Sequence, residues 1–278
     1  MRATRANRFL AATLIGTSMF ATTALFAQDA ATDQAAKAAE LAKKLANPVA
    51  SLISVPLQYN YDENYGASDQ GSKSVLNIQP LIPISLGADW NLITRTIVPL
   101  VDQQDIPVKG EDASGMGDIL QSFFFSPKAP VGSWILAAGP VGLYPTATDD
   151  MLGGKKWGTG PTALALQQKG PWTYGLLANH VWSVAGDEDR ADMSASFVQP
   201  FLSYVTKTKT TLSLNTESTY DWKNEQWSVP VNASVSQLLK VGSQILSLTA
   251  GARYWADSPD NGPEGWGVRA GVTFVFPK

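Results

Sequence analysis

From residue 50 to the C-terminus the chain alternates apolar and polar residues with a period of two, interrupted at regular intervals by turn signals. No other feature of the sequence limits the fold so strongly. One strand between each pair of turns gives twelve, each about 10–13 residues long: 51–61, 74–86, 90–101, 117–126, 134–144, 157–168, 172–184, 193–206, 211–222, 227–239, 243–255 and 266–276. Alternate residues separate the two faces. The second strand sets Leu76, Ile78, Ile82 and Ile84 against Asn77, Gln79 and Ser85, and the last sets Trp266, Val268, Val272 and Phe274 against Arg269 and Thr273. The five strands between 117 and 206 separate less cleanly.

Soluble sandwiches alternate too, so the connections have to discriminate. Five are short (87–89, 127–132, 169–171, 207–209, 240–242) and six are mostly longer (62–73, 102–116, 145–156, 185–192, 223–226, 256–265). Short and long alternate without exception, as up-and-down strands with two unlike ends require. An even strand number with short turns at one end and long loops at the other is the layout of a transmembrane β-barrel. The expected fold is all-β: a twelve-stranded antiparallel transmembrane barrel over residues 48–278, preceded by a short periplasmic helix within 28–47.

Composition agrees. Charged residues make up 16% of the chain, against roughly 25% in soluble domains. After Phe26 no apolar run approaches the ~18 residues of a membrane-crossing helix. All nine tryptophans fall at strand ends, which suits rings with an apolar body and a polar N–H at two membrane interfaces. The long loops hold most of the carboxylates, whereas the short turns and C-terminus carry Lys128, Lys169, Lys207, Lys209, Lys240 and Lys278. Arg95, Glu217, Arg253 and Arg269 all fall on the polar faces of their strands. An arginine facing lipid at the midplane costs roughly 2–4 kcal/mol, so the polar face is the lumen. The expected lining is Gln58, Asn77, Gln79, Arg95, Glu217, Asn232, Arg253 and Arg269. Prolines inside strands, among them Pro56, Pro80, Pro99, Pro140, Pro161 and Pro230, each remove a ladder hydrogen bond and predict bulges or bends.

At the N-terminus Arg2, Arg5 and Arg8 precede a moderately apolar stretch that ends at Ala27, the pattern of a cleaved secretory signal peptide over residues 1–27. Residues 28–47 are rich in Ala, Lys and Glu, with Glu40 and Lys44 spaced as an i,i+4 pair and Asn47-Pro48 as the stop. With only Leu41 and Leu45 as large apolar residues, this helix is expected to dock on, or plug, the barrel.

Few residues point to chemistry. Without cysteine there is no disulfide, thiolate or Cys-ligated metal. Asp187-Glu188-Asp189 with Asp192 lacks the glycine and distal glutamate of a calcium loop, and Gly158-Thr159-Gly160 is followed by strand alternation rather than a helix. His180, the sole histidine, is a candidate base on the outer wall with Ser183 or Asn179 nearby, a lipid-hydrolase arrangement. An interfacial or loop-bonded histidine is the plainer reading. No enzyme, cofactor or metal is expected, and an isoelectric point near 5.2 argues against nucleic acid.

Three segments carry a family likeness: the stretch from Gly117 through Phe123-Phe124-Phe125 to Lys128, Tyr220-Asp221-Trp222 with Trp227-Ser228-Val229-Pro230, and Arg253-Tyr254-Trp255-Ala256-Asp257-Ser258-Pro259. They resemble a bacterial outer-membrane family of transporters often labelled as proteins of the meta-pathway of phenol degradation. The resemblance covers most of residues 47–278 and implies uptake of small, aromatic solutes through an outer-membrane barrel. One departure concerns the barrel class at large, whose last strand usually ends on an aromatic residue; here Pro277-Lys278 follow Phe276.

The expected function is a passive channel for small aromatic or anionic solutes. It lies in the outer membrane of a Gram-negative bacterium, with long loops extracellular and both termini periplasmic. Its partners are outer-membrane lipid and lipopolysaccharide, the solute, and the barrel-assembly machinery during biogenesis. A closed structural barrel whose charges pair with one another, and a surface adhesin or receptor using the acidic loops, fit the same features.

Overall fold

The computed structural model describes residues 36–276. The expected signal peptide, residues 28–35 and the terminal Pro277-Lys278 lie outside the described residues.

Fifteen strands form one antiparallel sheet: β1 (Ile53–Tyr65), β2 (Gly71–Ile78), β3 (Leu81–Leu86), β4 (Trp90–Gln104), β5 (Ala113–Met116), β6 (Ile119–Pro127), β7 (Ile135–Tyr144), β8 (Lys156–Lys169), β9 (Trp172–Gly186), β10 (Ser194–Val205), β11 (Thr210–Thr216), β12 (Ser218–Asp221), β13 (Gln226–Val241), β14 (Gln244–Asp257) and β15 (Gly265–Phe276). β15 pairs with β1, Ile53 opposite Phe276, so the sheet closes on itself. The pairs β2–β3, β5–β6 and β11–β12 each make one interrupted stave, and the barrel has twelve staves. Two-residue turns join β8 to β9 and β13 to β14; Gly170 and Gly242 occupy positive φ there (57° and 62°), which these tight hairpins require.

Each of the three interruptions faces a proline on a neighbouring stave. A proline brings no N–H to the ladder, and the partner strand departs from regular pairing opposite it. Gln79, between β2 and β3, donates its N–H to the carbonyl of Pro56 at 2.8 Å. Gly117, between β5 and β6, donates to Pro99 at 2.9 Å, and Glu217, between β11 and β12, donates to Pro230 at 3.3 Å beside a bulge at Val229/Pro230. Pro140 and Pro161 stand opposite each other on β7 and β8.

The lumen differs from the polar interior that the alternation predicts. In the half nearer the short turns, Ile93, Phe124, Leu164, Leu166 and Leu177 point inward and make a packed apolar core, with Phe197 and Phe201 against it. Leu176, Leu136 and Phe125, on the opposite faces of these strands, are exposed. Both faces are therefore apolar on β6 to β10, which is why their alternation reads poorly in the sequence. Eight of the nine tryptophans are exposed, from Trp134 at 41% to Trp266 at 69%; Trp255 is not among them and turns inward.

Residues 36–45 form the one helix described, inside the 28–47 segment expected to hold it. The chain leaves it where Asn47 folds its side-chain carbonyl back to accept the N–H of Val49 at 2.9 Å. Ala42, Val49, Ala50 and Leu52 are buried, and Val49 joins the apolar core. Gln168 donates to the carbonyl of Lys43 at 2.8 Å and Asn91 to the Ser51 hydroxyl at 3.0 Å, fixing residues 43–51 at the short-turn end of the lumen.

Leu166 is fully buried among apolar side chains, and Leu166→Ala is expected to cost about 2–5 kcal/mol. Urea unfolding followed by the loss of heat-modifiable gel migration measures it. A loss below about 1 kcal/mol would mean this half of the lumen is loosely packed.

Candidate functional site

Most charged residues of the lumen gather on one wall, made by β11 to β15 with β1, β2 and β4. The sheet register brings them together from distant parts of the chain. Arg269 on β15 grips Glu217 with both ends of its guanidinium, Nη1 to Oε1 at 2.9 Å and Nη2 to Oε2 at 2.7 Å, while its Nε donates to Asn60 at 2.7 Å. Arg253 on β14 donates to the same Glu217 oxygen Oε2 at 3.1 Å, to Asp62 Oδ2 at 2.9 Å and to Asn232 at 2.9 Å. Asp62 also accepts the indole N–H of Trp255 at 3.0 Å, and the Arg253 guanidinium lies 5.4 Å from that ring's centre. Asn232 passes the network on to Asn215 at 2.9 Å. Bidentate guanidinium–carboxylate pairs of this kind are short, directional and charge-assisted.

The interrupted staves supply the key side chains. Glu217 and Gln79 sit at breaks in the ladder and both reach the lumen; Gln79 accepts from Arg95 Nη2 at 2.8 Å. Asp118, at the third break, accepts the backbone N–H groups of Ala147 (3.1 Å) and Gly154 (2.8 Å) and so anchors the long connection between β7 and β8. At the rim one ion pair lies within that connection, Lys155 with Asp150 at 2.7 Å, and another joins the start of β8 to the β9–β10 connection, Lys156 with Asp192 at 3.2 Å. Hydrogen bonds from Lys156 and Ser183 hold the Asp192 carboxyl below the ordinary carboxylate range.

Two cavities occupy the lumen. One, of about 420 Å³, lies between the polar wall and the inward Leu120, Leu143, Val181 and Phe197 of β6 to β10. The other, of about 270 Å³, lies toward the short turns and is floored by the Ala42–Leu52 segment. Gln58, Gln79, Arg95 and Gln199 line both, so the cavities meet at the Arg95–Gln79 pair.

Of the eight residues expected in the lumen, Gln58, Asn77, Gln79, Arg95, Glu217 and Arg269 line the larger cavity. Asn232 and Arg253 are buried behind them in the network. Asp62, placed by the turn signals in a loop, stands instead within β1, 3% exposed and directly opposite Lys73 of β2. The alternation of Gln58, Asn60 and Asp62 carries the signal that could have located it. Trp255 has no such signal, because its partner Asp62 lies on a strand far away in sequence.

His180 bonds through Nδ1 to the Ser196 hydroxyl at 2.8 Å on the outside of the barrel, and Trp222 Nε1 donates to the same hydroxyl at 2.9 Å. Asn179 lines the lumen cavity and Ser183 pairs with Asp192, so neither neighbour on its own strand shares the face of His180. Strand alternation puts residues at odd separations on opposite faces, which corrects the expected grouping. Among the described residues no cluster of metal-ligating side chains occurs.

The fold is similar to that of solved outer-membrane barrels. The COG4313 outer membrane channel from Pseudomonas putida F1 superposes with a TM-score of 0.65 at 15% identity, covering 81% of this chain and 96% of that one. Outer membrane phospholipase A from Escherichia coli follows at a TM-score of 0.49 and 10% identity, covering 80% of this chain and 92% of that one. No protein-family model and no curated protein sequence matches the chain. At these identities the likeness bears on the fold alone.

Glu217 balances two buried guanidiniums, and Glu217→Gln would leave Arg269 without its counter-charge and Arg253 with Asp62 alone. Breaking one partner of a buried ion pair costs roughly 3–5 kcal/mol. The same unfolding assay is expected to register a loss of that order, and a neutral effect would mean that solvent already screens the network.

Proposed function

We propose that the protein is a passive channel of the bacterial outer membrane for small aromatic or anionic solutes. The observation that carries this reading is the pair of cavities that follow one another along the lumen and meet at Arg95 and Gln79. An exposed outer wall bearing Ile82, Ile84, Leu212, Leu214, Val235 and Leu248 supports a lipid surround, and exposed tryptophans at the strand ends support two membrane interfaces. In this reading the long acidic loops face outward among lipopolysaccharide. The short turns and both termini face the periplasm, and the barrel-assembly machinery inserts the chain.

A closed structural barrel is the second reading, favoured by the apolar core and by Val49, which together fill much of the short-turn half. Single-channel recording in planar bilayers separates the two. The channel reading expects discrete openings by the full-length protein, and a several-fold larger conductance once residues 28–47 are deleted. Silence from both proteins would leave the closed barrel standing. In the channel reading His180 has no part in conduction, so His180→Ala is expected to leave the current unchanged.

A further inference from the structure

The cations of the polar wall outnumber its carboxylates. Lys73, Arg95, Arg253 and Arg269 share Asp62 and Glu217, and the pairing is uneven. Arg253 holds both carboxylates and Arg269 holds Glu217 with two hydrogen bonds. Arg95 has only a neutral partner, the Gln79 side-chain carbonyl; among the described residues no carboxylate comes within ion-pair distance of it. A guanidinium has five N–H donors and stays charged at every accessible pH, so most of the hydrogen-bonding capacity of Arg95 is turned to the lumen.

Beyond Arg95 the larger cavity has a more apolar surface. Leu120, Leu143, Val181, Met193 and Phe197 line it, contributed by β6, β7, β9, β10 and the residue before β10, with Ser122 and Asn179 as the polar groups among them. The cavity's volume of about 420 Å³ falls within the roughly 300–1,000 Å³ of small-molecule sites. A simple inorganic anion would satisfy Arg95 and leave this wall against water. An uncharged hydrocarbon would cover the wall and leave the guanidinium without a hydrogen-bonded counter-ion, the Glu217 carboxylate acting on it only through space. A ligand with one anionic group and an apolar body satisfies both.

We propose that the larger cavity is a binding site for organic monoanions, with a carboxylate held by Arg95 and an aromatic or short aliphatic body against the Leu143–Phe197 wall. The inference rests on the channel reading for its place in transport, since Arg95 lines both cavities and an anion crossing from one to the other must pass it. Binding itself does not depend on conduction, so the two can fail separately. Arg95 acts here as the specificity-determining residue, while Arg253 and Arg269, occupied by Glu217, hold the wall in place.

The test uses the full mature protein in detergent, with calorimetric titration of benzoate, its uncharged isostere benzamide, and acetate. Wild type is expected to bind benzoate well above benzamide and above acetate. Arg95→Gln should weaken benzoate roughly tenfold or more, as loss of a charge-assisted contact does, and leave benzamide unchanged. Arg95→Lys should keep part of the preference for the anion, and Phe197→Ser should narrow the advantage of benzoate over acetate. The wild-type comparison needs no variant to fold: equal affinity for benzoate and benzamide would overturn the proposal, as would benzoate binding indifferent to Arg95→Gln in a barrel with normal heat-modifiable migration. Planar-bilayer current on the same preparations keeps the two readings apart. Benzoate binding through Arg95 in a silent barrel would uphold the site and remove the channel; a conducting barrel without that binding would do the reverse.

Discussion

The carboxylate of Glu217 lies between two guanidiniums, Arg253 and Arg269, that arrive on different staves. Hydrogen bonds of the sheet join only adjacent strands, so this contact ties together staves that are not direct neighbours along one wall. Asp62, from the first stave, completes the brace by taking the free end of Arg253. Each member is buried enough that losing its partner would strand a charge, and the cost of that keeps the group together. The polar wall is consequently stiff, and the space in front of it keeps a defined shape.

Backbone and side-chain chemistry are linked through proline. Pro56, Pro99 and Pro230 each lack the donor that a regular ladder needs, and the stave opposite each one breaks. The breaks fall at Gln79, Gly117-Asp118 and Glu217, and a polar side chain near each gap makes a contact that regular strand geometry would not allow. Gln79 becomes the partner of Arg95, Asp118 the anchor of a rim loop, and Glu217 the counter-ion of two arginines. Residues that look like defects in a strand thereby set the positions of the groups that matter most.

The staves were legible because turn signals and a period of two survive even where a strand is interrupted; residues 74–86 read as one strand, and the stave from Gly71 to Leu86 forms in two parts. Side-chain direction was legible wherever the two faces differ in polarity, as for Arg253 and Arg269. It was obscured between β6 and β10, where Phe124 packs inward and Phe125 points outward with nothing in their chemistry to tell them apart. Pairing was out of reach. Arg253 and Asp62 are 191 residues apart, and only closure of β15 on β1 brings their strands near each other. Asp62 itself was hidden by its position just past an expected strand end, although the ladder runs on to Tyr65.

Trp255 differs from the other eight tryptophans in kind as well as direction. Its indole donates to a carboxylate and has a guanidinium above its ring, so its excited state sits in the electric field of the brace itself. The charged network thus carries a built-in optical label, whose emission responds to the spacing of Asp62 and Arg253. The exposed tryptophans, set around the barrel's outer surface, report on whatever surrounds it.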